Sequence, residues 1–369
     1  MRNGQTWQSP RRAAADRTAD LEGRPDAQAR ERRSGGAAER RRRVVHRACG
    51  KVPGMDIAVV GLGLIGGSLL RALAAAGHRV TGYDADPATR EQAATAGFPI
   101  AASVPDAIAG TDLTVLAVPL PALPAVLDHL TAYRGLITDV TSVKGPVRDL
   151  APPRFVGGHP MAGKETSGFA ASDATLFDGC AWVLCLEPGV TALPDWLTLA
   201  ALLTRLGARV VPLTAAEHDR VVAQVSHVPH LFAAALAGQL RDNPPAATLA
   251  AGSFRDGTRV AATRAELIAA MCGGNAAAVK DELDHLLADL HRMRALLDAP
   301  DPVAALTTAL RPAVELRRAW PVADQVPAEL PAGTDVLLDL GRAGGWVTAV
   351  AEDRTTVSAM RPETDRNRS

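Results

Sequence analysis

One histidine, His159, stands between Gly157-Gly158 and Pro160 in the run GGHPMAGKETSG. Gly158 lets the backbone approach a ligand closely, and Pro160 biases His159 to an extended conformation. An imidazole on a loop leaving a sheet can take or give a proton near neutral pH. A turn with a surface histidine is the bland alternative for a lone His. Three further segments carry groups that could work with it. TDVTSVK, 138–144, follows a strand end, where open α/β sheets place ligands, and offers the Ser142 hydroxyl. QVSHVPH, 224–230, sets His227 and His230 three apart, on one face of a helix. GSFRDGTR, 252–259, reads as a glycine-flanked loop with two guanidinium groups, Arg255 and Arg259, whose forks suit carboxylates. Each segment also has a plain reading: a helix cap for Ser142, a surface pair for the histidines, solvated charge for the arginines. No acidic third ligand accompanies the two histidines in sequence, so no metal is expected.

These groups need elements to position them. Asp56 to Val60 is a short apolar strand that runs into GLGLIGGS, 61–68, then a helix to about Ala76 and a second strand, Arg79 to Tyr83, ending in Asp84. This is a βαβ unit with a dinucleotide fingerprint. Gly61 permits the tight turn, Gly63 lets the backbone approach a pyrophosphate, and Gly66 lets helix and strand pack closely. Gly61, Gly63, Leu64, Ile65 and Gly66 are the candidate cofactor contacts, with the helix N-terminus facing the anion. Asp84 can accept from ribose hydroxyls and would repel a 2′-phosphate, so the cofactor reads as NAD rather than NADP. A turn residue in Asp84-Ala85-Asp86-Pro87 is the alternative for Asp84.

Strands at about 113–118, 136–139, 154–156, 181–186 and 208–213 alternate with helices, which predicts a doubly wound sheet through about residue 213. Thr214-Ala215-Ala216-Glu217 is a capping-box signature. It opens helical sequence to about residue 310, in which Leu283, Leu286, Leu287, Leu290, Met293 and Leu297 form a helical stripe suited to a core or subunit interface. From about Arg311 the tail reads as separate. Its prolines mark a linker, and two short strands are expected at 336–340 and 346–350. The division is thus a leader 1–54, an α/β domain 55–213, a helical domain 214–310 and a tail 311–369.

Residues 1–54 hold 14 Lys+Arg against 6 Asp+Glu in a chain whose formal charge is zero, so the body is mildly acidic and only the leader is basic. The leader has no apolar period and no hydrophobic run of signal or membrane length, and reads as disordered; its start before Met55 is also compatible with an over-extended reading frame. Its Arg40 to Arg43 run lacks the aromatic interleaving of a nucleic-acid patch. Neither nucleic acid nor membrane is expected as a partner. Cys49, Cys180, Cys185 and Cys272 show no metal spacing and read as apolar fillers in a reducing, cytoplasmic setting.

Taken together, GLGLIGGS, TDVTSVKG, GGHPMAGKETSG, SHVPH and FRDGTR occur in the order found in the prephenate/arogenate dehydrogenase family of tyrosine biosynthesis, which residues 55–310 resemble. The resemblance implies a Rossmann-type α/β domain followed by an all-α dimerisation domain, a homodimer, and NAD(P)-linked oxidative decarboxylation of a small cyclohexadienol. It implies that His159 is the catalytic histidine on the ring hydroxyl, that Ser142 helps orient it, and that His230 and Arg259 bind substrate. Ser226, Gly252 and His218 match supporting positions of the substrate site. Arg255 stands where some relatives carry lysine. Glu165, six residues beyond His159, is expected to favour the ammonium of arogenate over the keto group of prephenate. The tail lacks a recognisable ACT-type regulatory domain. Two other readings stay open: a β-hydroxyacid or 6-phosphogluconate-type dehydrogenase, and a non-catalytic NAD-binding regulator.

Overall fold

The computed structural model describes residues 54–164, 166–321 and 325–363. The leader before Gly54, with Cys49, and the Glu165 position lie outside the described residues.

Strand β1 (Asp56–Val60) runs through the glycine turn into α1 (Leu64–Ala75) and β2 (Arg79–Tyr83). Helices α2 (Pro87–Thr95) and α3 (Val104–Ile108) lead to β3 (Leu113–Leu116), α4 (Leu123–Leu127) to β4 (Leu136–Asp139), and α5 (Gly145–Arg148) to β5 (Phe155–Val156). The five strands pair in the order β2-β1-β3-β4-β5, all parallel. Helices on both faces account for the continuous burial of β3 and β4. The strand order reverses beside β1, so the crevice at the carboxyl ends of β1 and β3 opens where such sheets hold ligands.

The sheet stops at β5. The chain turns through Gly157 into β6 (Gly158–Pro160), which pairs antiparallel with β7 (Ala181–Cys185), and α6 (Leu193–Arg205) returns to β8 (Arg209–Leu213), parallel to β7. The later strands therefore build a second sheet instead of extending the first, as alternation alone had suggested. The reason is local: a Cβ at Gly158 would meet the Asp139 carbonyl oxygen at 2.7 Å, so only glycine lets the chain cross the end of β4 this closely.

The capping box forms as expected at the start of α7 (Ala215–Val222). A π-helical turn, Ala223–His227, follows and leads into α8 (Val228–Gly238). Pro229 has no N–H to offer the carbonyl four residues back, which favours the wider turn. By length and composition the run Ala215–Gly238 could cross a membrane. Its His218, Asp219 and His227 are instead buried and bonded to other parts of the chain.

Beyond it come α9 (Pro244–Leu249), α10 (Gly252–Thr258), α11 (Ala265–Gly274), α12 (Ala276–Leu296) and α13 (Pro302–Ala319). Two expectations need correction here. The segment with Arg255 is a helix, not a loop: its glycines fall near the two ends of α10, and packing against α8 overrides their poor propensity. Helix α13 runs through residue 310 with Pro312 inside it, so no linker begins at Arg311.

The tail also differs from its reading. It forms β9 (Gln325–Pro331), α14 (Thr334–Arg342), β10 (Trp346–Val350) and β11 (Thr356–Pro362). Residues 336–340 are helical, not a strand: a short apolar run does not declare its period, and in α14 Leu337, Leu338 and Leu340 are buried. Nor is the tail separate. Strand β10 pairs with β8, giving a six-stranded sheet β6-β7-β8-β10-β11-β9. Leu337, Val347 and Val357 share one core with Trp196 and Val210. Pro327 and Pro331 are tolerated because β9 is the edge strand.

Candidate active site

The glycine turn fits a dinucleotide. A Cβ at Gly66 would lie 1.8 Å from the Gly61 oxygen, and Gly61 itself has φ +95, whereas nothing lies within 4 Å of a Cβ at Gly63. Helix α1 has no side chain capping its start, so the N–H groups of Leu64 and Ile65 are available to an anion. Asp84 accepts from the Leu62 N–H at 2.7 Å and the Asp86 N–H at 2.9 Å. It braces the turn, and an ionised carboxylate retains acceptor capacity for hydroxyls.

His159 is half-buried on β6, opposite Val183 of β7. Its Nδ1 lies 2.8 Å from Nε2 of His218, with the rings edge to face at 74°. His218 is fully buried, and its own Nδ1 lies 2.8 Å from Oδ1 of Asp219. Asp219 in turn accepts from the backbone N–H groups of Lys144 and Gly145 at 2.8 and 2.7 Å. The Lys144 ammonium, also buried, donates to Asp139 and Thr141 and to the Gly158 carbonyl at 2.7 Å. Asp139 accepts from the Gly158 N–H at 3.0 Å. Gly158, the residue before His159, is thus held at both its N–H and its carbonyl by one buried ion pair.

Burial first, then His218, Lys144 and His227, push the pKa of His159 well below the usual histidine value, so its ring is neutral at pH 7. Burial lowers His218 against the opposing hydrogen bond of Asp219. For Asp219 burial works upward, but its bonds to His218, Gly145 and Lys144 outweigh it and hold the carboxyl below its ordinary range.

The other sequence candidates divide. Ser142 is exposed, and among the described residues no hydrogen bond joins it to His159, whose Nδ1 meets His218 instead. His218 itself is fully buried behind His159, which places it as a support to that ring. His227 and His230 do not share an environment: His227 closes the π-helical turn and is buried, whereas His230 lies in α8 and is half-buried. His227 is buried beside the Asn275 amide at 3.3 Å, and burial first of all takes its pKa to about 4. His230 is half-buried and donates from Nδ1 to the Ser226 carbonyl at 2.8 Å, leaving Nε2 as an acceptor. Arg255 on α10 and Arg259 in the short 3₁₀ turn after it are exposed and form no ion pair among the described residues. That turn packs against α8, which carries His230, and Gly252 opens α10. No group of three or more metal-ligating side chains occurs among the described residues.

Asp139, Thr141, Lys144, Asp219 and Asn275 were not singled out from the sequence. Lys144 and Asp219 are 75 residues apart, and only the adjacent His-Asp dipeptide offered a signal. A cavity of about 370 Å³ borders Lys144 and Gly157, but its lining omits His159, His230 and Arg259, and its Arg154 is paired with Asp195.

Residues 69–212 match the model of the prephenate dehydrogenase nucleotide-binding domain, and residues 214–309 that of the prephenate dehydrogenase dimerization domain. The chain is 34% identical over 262 residues to a cyclohexadienyl dehydrogenase of Zymomonas mobilis subsp. mobilis, covering 66% of this chain and 89% of that one. Its fold is similar to prephenate dehydrogenase from A. aeolicus solved with hydroxyphenyl propionate and NAD+, with TM-score 0.67, 25% identity and coverage of 73% and 99%. A Synechocystis arogenate dehydrogenase structure gives TM-score 0.63, 29% identity and coverage of 72% and 100%.

Proposed function

The chain belongs to the prephenate dehydrogenase family, and we infer that it catalyses the NAD-dependent oxidative decarboxylation of prephenate to 4-hydroxyphenylpyruvate, or of arogenate to tyrosine, in tyrosine biosynthesis. The observation that carries the residue roles is a neutral, half-buried His159 with one ring nitrogen engaged by His218.

Gly61, Gly63, Leu64, Ile65 and Gly66 hold the cofactor's pyrophosphate on α1, and Asp84 receives the ribose. Bound NAD supplies the redox chemistry by taking hydride from the ring carbon that bears the hydroxyl. His159 accepts the proton that the hydroxyl loses in the same step. Loss of the ring carboxylate as CO2 then aromatises the ring. Arg259 meets a substrate carboxylate through its fork, with Arg255, Ser226 and the Nε2 of His230 lining the rest, and Ser142 lies on the loop after β4. Glu165 tunes the side-chain end toward the ammonium of arogenate. The helical residues from 214 onward form the homodimer interface: Leu287, Leu290, Leu297, Leu310 and Val314 are exposed in the single chain.

The direct test is absorbance at the NADH band with prephenate and arogenate, each against NAD and NADP. Turnover with NAD and either dienol is the expected result. Cofactor binding without turnover of either substrate would leave a regulator, and turnover of simple β-hydroxyacids would move the chain to the other dehydrogenase class.

A further inference from the structure

The chain Asp219–His218–His159 has a direction, and the direction decides which nitrogen does the chemistry. Asp219 is ionised and can only accept. Its Oδ1 already faces the Lys144 N–H and its Oδ2 the Gly145 N–H. The 2.8 Å contact with His218 Nδ1 therefore requires a hydrogen on that nitrogen. A neutral His218 then has a bare Nε2, which accepts. The 2.8 Å contact across to His159 consequently requires the hydrogen of His159 to be on Nδ1. The lone pair of His159 is left on Nε2. The reverse assignment would place the bare Nδ1 of His218 against a carboxylate, lone pair against charge.

We propose that His218 and Asp219 are positioning residues that lock His159 into the Nδ1–H tautomer, so that Nε2 is the base, and that they share the proton charge it acquires. This rests on the reading of His159 as the base in the proposed reaction. The balance is simple: the substrate O–H breaks, its proton bonds to His159 Nε2, and the electron pair of that bond becomes the C=O π bond as hydride leaves the same carbon for the cofactor. The resulting imidazolium still donates from Nδ1 to His218, which stands next to the Asp219 carboxylate. The titratable and charged groups around the pair are Asp139 and Lys144 from the β4 side and Asp219 and the neutral His227 from the helical side. Lys144 opposes a positive ring, so Asp219 is the group placed to compensate it.

Two measurements test this. Long-range 1H–15N spectra of protein labelled with 15N-histidine read the tautomer without substrate, cofactor or turnover. The expected spectrum gives His159 a pyrrole-type Nδ1 and a pyridine-type Nε2. The opposite pattern in the wild-type protein overturns the proposal even if the enzyme turns over as inferred; the expected pattern in a protein inert toward both dienols would instead fault the functional reading. The second measurement is kinetic. Asp219→Asn presents an amide that can donate to His218 Nδ1, which reverses both rings and blocks His159 Nε2, so kcat should fall roughly 10²–10⁴-fold. NAD affinity and substrate KM should stay within about threefold, because neither residue touches the ligands. His218→Leu should lose a similar factor, and His218→Gln, whose amide oxygen can still accept from His159 Nδ1, should recover at least about tenfold of it. Should Asp219→Asn fail to fold, the wild-type spectrum and the Gln/Leu pair decide. A Gln variant no better than Leu, or an Asn variant with unchanged kcat, refutes the lock.

Discussion

The two halves of the candidate site are built on opposite principles. Around His159 nearly every polar group is already engaged: Lys144 donates to three partners, Asp219 receives three hydrogen bonds, and His218 bridges two neighbours. On the helical side Arg255 and Arg259 are exposed without carboxylate partners among the described residues, and His230 keeps one free nitrogen. A group that must move a proton at a fixed angle gains from being held before the substrate arrives. A group that must recognise a charged ligand has to remain available for it. The first half should therefore govern kcat, and the second KM.

The comparison breaks most visibly at His159. Replacing it with Asn keeps a polar side chain but removes the proton acceptor, so kcat should fall by roughly 10²–10⁴-fold while NAD and substrate still bind. Steady-state kinetics beside an equilibrium NAD titration separate the two effects, and a near-normal kcat at neutral pH would remove His159 from the mechanism.

Lys144→Met leaves Asp139 buried without its cation. Losing one partner of a buried pair costs about 3–5 kcal/mol, so denaturant unfolding should report a loss of that size, with kcat falling because Gly158 and His159 lose their anchor. A variant as stable as the wild type would mean the pair is not holding the strand.

Arg259→Ala should act on the other half. Truncating one side of a substrate ion pair costs about 2–5 kcal/mol in kcat/KM, carried mainly by KM, with NAD affinity unchanged. Loss of NAD binding with substrate KM intact would place Arg259 on the wrong side of the cleft.

The smallest effect is on acid stability. His159, His218 and His227 have folded pKa values below the ordinary histidine value, so between the two values the unfolded chain binds protons that the native state refuses. Stability should be full above about pH 6.5 and decline as the pH falls from there toward 4. For His227 alone, taken from 6.5 to about 4, the loss is on the order of 3 kcal/mol. Asp219, whose pKa is lowered, gives way only below the ordinary carboxylate range. Urea midpoints from pH 7 to 4.5 measure the slope; a flat profile across that range would contradict neutral burial of these rings.

The legible part of the molecule was the part written in local pattern. The dinucleotide turn depends on glycines at fixed offsets between a strand and a helix, and β1, α1 and β2 form within a residue of where those offsets put them. The capping box at Thr214 and Glu217 is likewise closed by residues three apart. His159 could be singled out because glycines and a proline flank it. Where the pattern was short or apolar on all sides, local reading failed: 336–340 is helix, 252–258 is helix, and the tail pairs with β8 instead of standing alone.

What the amino-acid order determined by itself, then, was the set of chemical groups and the βαβ frame that binds the cofactor, because both follow from contacts a few residues apart. The tertiary structure alone decided which groups meet. Lys144 reaches Gly158 across 14 positions and Asp219 across 75, and His159 meets His218 across 59. Such contacts leave no periodicity in the chain. They arise only when the end of β4, the glycine crossing at 157–158 and the start of α7 are packed together, and burial there holds the histidine rings in their neutral form.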